Sequence, residues 1–296
     1  MNPSLLGQIL SVSVALIWAL AVVLFRLSGR KLSPFSLNLF KNCVAAVLFF
    51  ATFPVIGQTL FLRAPALDYW LLALSGAIGI AVADTLFFVS LNTVGAGLSQ
   101  VVNCMYSPFV ILFSFFFLGE RLTAGDVAGA AMILTSVFLA SGHRPPPGMS
   151  RRDLAKGFIY GASSVALMAV GVVIVKPVLN RSPIIWATTI RLLGGVAALA
   201  ILSAVVPRWR RAWRAFRPSK DWKITLPASI IGTYIAMIVW IAGIKFTQAS
   251  TAAILNQTSA VFVLPLAAVV LKESVTRRKL GAVALALCGV ALVTLL

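Results

Sequence analysis

Acid is what this chain most lacks. Of 296 residues only 7 are Asp or Glu, against 25 Lys and Arg, and there is 1 histidine. General acid–base work, nucleophile–histidine couples and bound metals all need such side chains in clusters. His143 stands alone, and the acids Asp68, Asp84, Glu120, Asp126, Asp153, Asp221 and Glu273 are scattered along the chain. No nucleophile elbow and no Walker motif occurs. No catalytic residue, metal or cofactor is therefore expected, and the chain reads as a non-enzyme. Cysteine is equally sparse. Cys43, Cys104 and Cys288 lie inside apolar segments without metal spacing, so buried thiols are expected and a disulfide is not.

Charge of any sign is scarce. Charged residues make up 11% of the chain, where a soluble domain carries about 25%. What fills the space is apolar: 60% hydrophobic residues and a mean hydropathy of +1.00. A core cannot hide that much apolar surface, so lipid is the expected solvent. The net charge of +18 would suggest nucleic acid in a soluble protein. Here the basic residues gather in a few loops, as they do beside an anionic leaflet. Membrane lipid is the expected partner, and nucleic acid is not.

Ten apolar segments can be marked, at 5–27, 34–55, 69–92, 97–118, 124–141, 155–175, 183–206, 224–246, 250–271 and 277–295. The first lacks a basic lead and an A-x-A site, and reads as a retained helix. Residues 143–154, Pro-rich and basic, read as a linker between halves 1–142 and 155–296. In 208–220, Trp209, Trp213 and Phe216 recur at helical spacing opposite Arg210, Arg211, Arg214 and Arg217. That pattern predicts a short helix lying on anionic lipid.

The halves repeat each other. At an offset of 153, Asp68 falls on Asp221, Gly79 on Gly232, Ala96 on Ala249, Asn103 on Asn256, Glu120 on Glu273 and Thr123 on Thr276. Segments 1 and 2 match at an offset near 150, with Gly7 on Gly157 and Arg26 on Lys176. An odd number of helices per unit turns the second copy over, so an inverted repeat is expected. The loops after odd-numbered segments hold most of the Lys and Arg, which places them in the cytoplasm and the termini outside. The expected fold class is therefore all-α: a polytopic membrane protein of ten transmembrane helices, built as two inverted five-helix repeats around a central cavity.

Paired five-helix units, each with a basic residue closing its first helix and a Glu-containing turn before its fifth (Leu118-Gly119-Glu120 and Leu271-Lys272-Glu273), resemble the EamA-type branch of the drug/metabolite transporter superfamily. Within it the chain looks most like YddG-type amino-acid exporters. The resemblance implies a central cavity, segments 5 and 10 set to one side, and outward movement of small metabolites, often amino acids. Small four-helix multidrug exporters of the same superfamily depend on a glutamate in helix 1. Here that helix offers Ser11, Ser13 and Trp18 and no carboxylate, which argues against proton antiport by that route. A monomer in a bacterial-type inner membrane, carrying amino acids or similar small molecules, is the expected setting. A carrier of phosphorylated metabolites and a non-transporting protein such as a lipid scramblase stand as alternatives.

Buried polar groups are costly in lipid and mark candidate sites. Asp84 is the one acid deep in a segment. It can contact a substrate ammonium or carry a proton, or it can pair with Lys41 or Arg191. Those two cations can attract a carboxylate or phosphate, or snorkel to an interface. Ser99, Asn103 and Tyr106 follow helical spacing on segment 4, with Pro108 beyond them. Asn256, Gln257 and Ser259 lie on segment 9, with Pro265 further on. Neutral amides both donate and accept, which suits a zwitterion; hydrogen-bonding glue between helices is the alternative. Trp18, Trp186, Tyr234 and Trp240 can stack on a substrate side chain, and Trp70 and Trp222 read as interface anchors.

Overall fold

The computed structural model describes residues 2–29, 31–141, 150–259, 261–262, 266 and 277–295. The linker residues 143–149 with His143, the Leu271-Lys272-Glu273 turn, Thr276 and Pro265 lie outside the described residues. Among the described residues the fold is all helix: α1 (Pro3–Ser28), α2 (Pro34–Val55), α3 (Ala66–Gly76), a π-helical stretch (Ala77–Ala83), α4 (Asp84–Asn103), α5 (Tyr106–Leu118), α6 (Ala124–Ser141), α7 (Arg151–Arg181), α8 (Ile184–Val205), a 3-10 helix (Pro207–Phe216), α9 (Trp222–Ser229), a second π stretch (Ile230–Ile235), α10 (Ala236–Phe246), α11 (Ala249–Asn256) and α12 (Arg277–Leu295). Six helical stretches are long and apolar enough to cross a membrane, and three shorter apolar helices accompany them.

The boundaries follow local chemistry. Asn2 and Ser33 cap α1 and α2 with side-chain oxygens, each ahead of a proline in the first turn. Ser150 caps α7 by accepting from the Asp153 backbone N–H at 3.0 Å, which carries that helix back into the expected linker as far as Arg151. Gly119 ends α5 in the left-handed conformation, at φ 67°.

α4 doubles back on itself. Ser90 and Val102 would stand about 18 Å apart in a straight helix. Yet a Cβ built on Gly161 would meet both, Val102 Cγ1 at 2.7 Å and Ser90 Oγ at 2.9 Å. The reversal falls where the sequence separates segments 3 and 4.

The helices pack across the halves. α1 lies along α9, α10 and α11, and α7 along α3, α4 and α5. α3 meets α8 through Gly76, whose Cβ would fall 1.7 Å from the Arg191 carbonyl oxygen, and through Gly195. α6 pairs with α12 through Gly129 and Gly289, and α6 also packs on α4 and α11.

The expected helix within 208–220 is a 3-10 helix over Pro207–Phe216, and part of its apolar side docks on protein. Trp209 stacks on Phe35 with centroids 4.6 Å apart, and Phe216 packs on Phe40. Those two rings find apolar partners on α2, leaving Trp213 and the arginines outward. Trp222 is half-buried against protein. Its indole N–H donates to the Ala215 carbonyl and its ring packs on Phe40, while Trp70 stands exposed.

Candidate functional site

The two π stretches sit at repeat-related positions, and both border the same cavity. A π turn widens a helix and frees backbone carbonyls. In the first stretch, Asn38 Nδ2 donates to the Ile80 carbonyl at 2.7 Å and Ser164 Oγ to that of Ala83 at 2.7 Å. Gly79 leaves room for a guanidinium: a Cβ there would fall 2.7 Å from an Arg191 Nη. Gly232, in the second stretch, does the same for the Phe25 ring.

Between α1, α2, the doubled-back α4, α5, α7, α8 and the α9–α11 run lies a cavity of about 1080 Å³, its open mouth included. Its α1 wall comes from the second half of that helix, Trp18 to Phe25, and its α2 wall from Lys41 near the start of that helix. The mouth therefore faces the end of the bundle where α1 finishes and α2 begins.

Nine of the ten candidate residues meet on this wall: Trp18, Lys41, Asp84, Asn103, Tyr106, Arg191, Trp240, Asn256 and Gln257. Ser99 does not; it is buried in α4 away from the cavity. The helix is broken at Cys104 and Met105, between Asn103 and Tyr106, so the spacing that grouped Ser99 with Tyr106 does not hold. Tyr234 and Trp186 also leave the candidate set. The Tyr234 hydroxyl bonds Thr52, and the Trp186 indole N–H donates to the Leu60 carbonyl at 2.9 Å. Sequence reasoning missed Phe25, Phe87, Phe88, Met168, Thr233 and Met237. The repeat held a signal for two of them, since Met168 is the counterpart of Trp18 and Met237 that of Asp84.

The charges are unevenly paired. Lys41 Nζ lies 2.7 Å from Asp84 Oδ2, so the two form an ion pair on the cavity wall. Arg191 is 1% exposed, yet its Nε donates only to Ser75 Oγ, at 3.0 Å, and its guanidinium carbon lies 5.1 Å from the Trp240 ring centre. Trp240 in turn tilts against Trp18 at 5.5 Å. No carboxylate lies within ion-pair distance of Arg191 among the described residues.

Hydrogen bonds are unevenly made as well. Nearly all buried polar atoms in proteins are partnered. Among the described residues, Asn256 Oδ1 and Nδ2 and Thr233 Oγ1 make no hydrogen bond and belong to side chains on this wall, while Asn42 Oδ1 and Ser114 Oγ lack partners away from it. Gln257 reaches across to donate to the Asn103 carbonyl at 3.2 Å, tying the two repeat-related asparagine positions together.

A helical bundle with several membrane-spanning stretches around a polar-studded cavity defines a multi-pass membrane protein. Sequence comparison narrows this: the model of the EamA-like transporter family matches residues 5–142 and 155–295, and the chain belongs to that family. It is a membrane transporter. A relative described as an uncharacterized transporter, from Archaeoglobus fulgidus, is 21% identical over 301 residues, covering 98% of this chain and 99% of that one. A crystal structure of a protein 21% identical in sequence superposes with a TM-score of 0.77, over 97% of this chain and 95% of that one, a likeness of fold.

Proposed function

We propose that this transporter exports small metabolites, foremost amino acids with aromatic or neutral side chains, and that it works by alternating access. The observation that carries this reading is the set of unpaired polar atoms on Asn256 and Thr233, facing a cavity that also presents the apolar side chains of Trp18, Phe25, Phe87, Phe88, Met168 and Met237. Such groups are costly in an apolar interior unless something bonds them. A small solute with an apolar side chain and a polar head fits both surfaces.

The reading takes the ten helices as two inverted repeats with the substrate at their junction. Support comes from the paired π stretches and from one pair of contacts. Arg26 donates to the Leu91 carbonyl in the first half, as Lys176 does to its counterpart Ile244 in the second. The cavity mouth lies at the end carrying most of the basic loops, which the positive-inside rule puts in the cytoplasm of a bacterial-type inner membrane. The protein then works as a monomer surrounded by lipid. A carrier of phosphorylated metabolites matches less well, because Asp84 already neutralises Lys41 and leaves one cation for a dianion.

The test is flux in proteoliposomes with a panel of amino acids and sugar phosphates, with and without a pH gradient. Amino-acid flux is expected. Flux of sugar phosphates and of no amino acid overturns the substrate; no flux of any solute overturns transport of these classes.

A further inference from the structure

We infer that the cavity recognises its substrate by the carboxylate, through Arg191, and that an α-amino group is dispensable, so that small apolar monocarboxylates are substrates alongside amino acids. This rests on the transport reading above and goes beyond it.

The argument begins with charge. Lys41 and Asp84 cancel at 2.7 Å, so the cavity wall keeps one net positive charge, on Arg191. An arginine side chain does not lose its proton in a protein, and an unpaired buried ion is strongly unfavourable. The contacts Arg191 does make, a serine hydroxyl, an indole face and the Met168 sulfur at 4.0 Å, orient it without neutralising it. Ser75 and Trp240 are in this sense positioning residues. The planar guanidinium fork suits a carboxylate, which it can bind through two parallel hydrogen bonds.

The neighbouring polar atoms favour the same end of the substrate. Asn256 Nδ2 is an unpartnered donor. It is buried and shares the wall with Arg191. An ammonium group has a poorer reception. Among the described lining residues Asp84 is the only carboxylate and is already held by Lys41, so Asn256 Oδ1 and Thr233 Oγ1 remain as uncharged acceptors. The rest of the substrate would lie against Trp18, Phe25, Phe87, Phe88, Met168 and Met237.

The experiment compares three compounds that differ only at the head group: phenylalanine, 3-phenylpropionate and phenethylamine. Each competes against labelled phenylalanine in counterflow, and each is titrated onto the purified protein with tryptophan fluorescence as the binding readout. The acid lacking the amine is expected to compete and bind as phenylalanine does, and the amine lacking the acid to do neither. Arg191→Gln should weaken both acids by at least about 30-fold. Arg191→Lys should recover only part, since it restores charge but not the fork. If phenylalanine is carried while phenethylamine competes and 3-phenylpropionate does not, the inference falls and the transport reading stands. If phenylalanine is not carried but 3-phenylpropionate binds, the amino-acid reading falls and the carboxylate site stands. If neither acid binds, the inference is overturned. The wild-type series decides the matter even if Arg191→Gln fails to fold.

Discussion

Asp221 holds Lys31 at 2.6 Å at one end of the bundle, and its repeat counterpart Asp68 holds Arg181 at the other, with Arg181 Nε 3.1 Å from Asp68 Oδ2. Lys31 and Arg181 are themselves related by the offset of 150 that joins segments 1 and 6. Each pair ties the first helix of one half to the third helix of the other. The pairs differ in their surroundings: the Asp68 side chain is 2% exposed and that of Asp221 is 32% exposed. One contact, repeated at opposite ends, buries its acid at one and leaves it half-exposed at the other, while both cations stay exposed.

That difference predicts unequal consequences of removing the cations. Arg181→Ala leaves Asp68 buried without its partner, whereas Lys31→Ala leaves Asp221 to water. An exposed pair contributes little and a buried orphan costs much more. Arg181→Ala should therefore lower the melting temperature in detergent clearly, and Lys31→Ala hardly at all. Equal shifts would show that the burial difference is without energetic weight.

The Lys41–Asp84 pair lends itself to a double-mutant cycle. Removing one partner strands a charge inside the bundle, at a cost of about 3 kcal/mol. Lys41→Met and Asp84→Asn should each destabilise by this order, and the double variant by less than either single one. Denaturation in mild detergent measures all four corners. Additive losses would mean the two groups do not depend on each other.

Close approach of α3 and α8 makes Gly76 intolerant. Its Cβ would fall 1.7 Å from the Arg191 carbonyl oxygen, an atom of rigid backbone. Overpacking of this kind costs about 1–3 kcal/mol or more, and it would shift the residue that carries the lone cation. Gly76→Ala should lower both thermal stability and substrate affinity. Gly281→Ala, where nothing lies within 4 Å, should change neither.

Most of the frame was legible in the sequence because lipid imposes a simple rule of about 20 apolar residues per span. The segments at 34–55 and 124–141 coincide with α2 and α6. The repeat also brought the candidate residues together, since Asn103 and Asn256 point to one junction. What could not be read depends on backbone detail. Nothing in Ala77–Ala83 or Ile230–Ile235 signals a π turn, because the extra residue is accommodated by packing against α7, α8 and α1 and not by composition. Phe25, Phe87 and Phe88 stand among 19 phenylalanines, so aromatic content alone could not single them out. The same breadth of apolar sequence hid the docking of Trp209 on Phe35. Amphipathic spacing says that one side is apolar and leaves open whether lipid or protein covers it.

Glu120 offers the most direct test of how the cavity is closed at its sealed end. It stands just after α5, in the first half, and its carboxylate accepts from the backbone N–H groups of Ala249 and Ser250 at 2.9 and 3.0 Å and from the Ser250 hydroxyl at 2.6 Å. Those are the first residues of α11, in the second half, so the acid caps a helix across the junction, where its charge also meets the positive end of the helix. Beside it Lys176 donates to the Ile244 and Thr247 carbonyls, closing the preceding turn. Both contacts lie at the end where Asp68 is buried, opposite the cavity mouth. On the alternating-access reading, that end opens when α11 leaves Glu120. Glu120→Gln keeps the shape and removes the charge, and charge-assisted hydrogen bonds are about twice as strong as neutral ones. The variant should therefore open this end more often. A cysteine at Ala252, which is buried in the closed arrangement, reports it in a background where Cys43, Cys104 and Cys288 are replaced by alanine. Ala252→Cys should react with a membrane-impermeant thiol reagent faster in the Glu120→Gln background than with Glu120 in place. Unchanged labelling, with α11 intact by circular dichroism, would mean that Glu120 caps a helix and gates nothing.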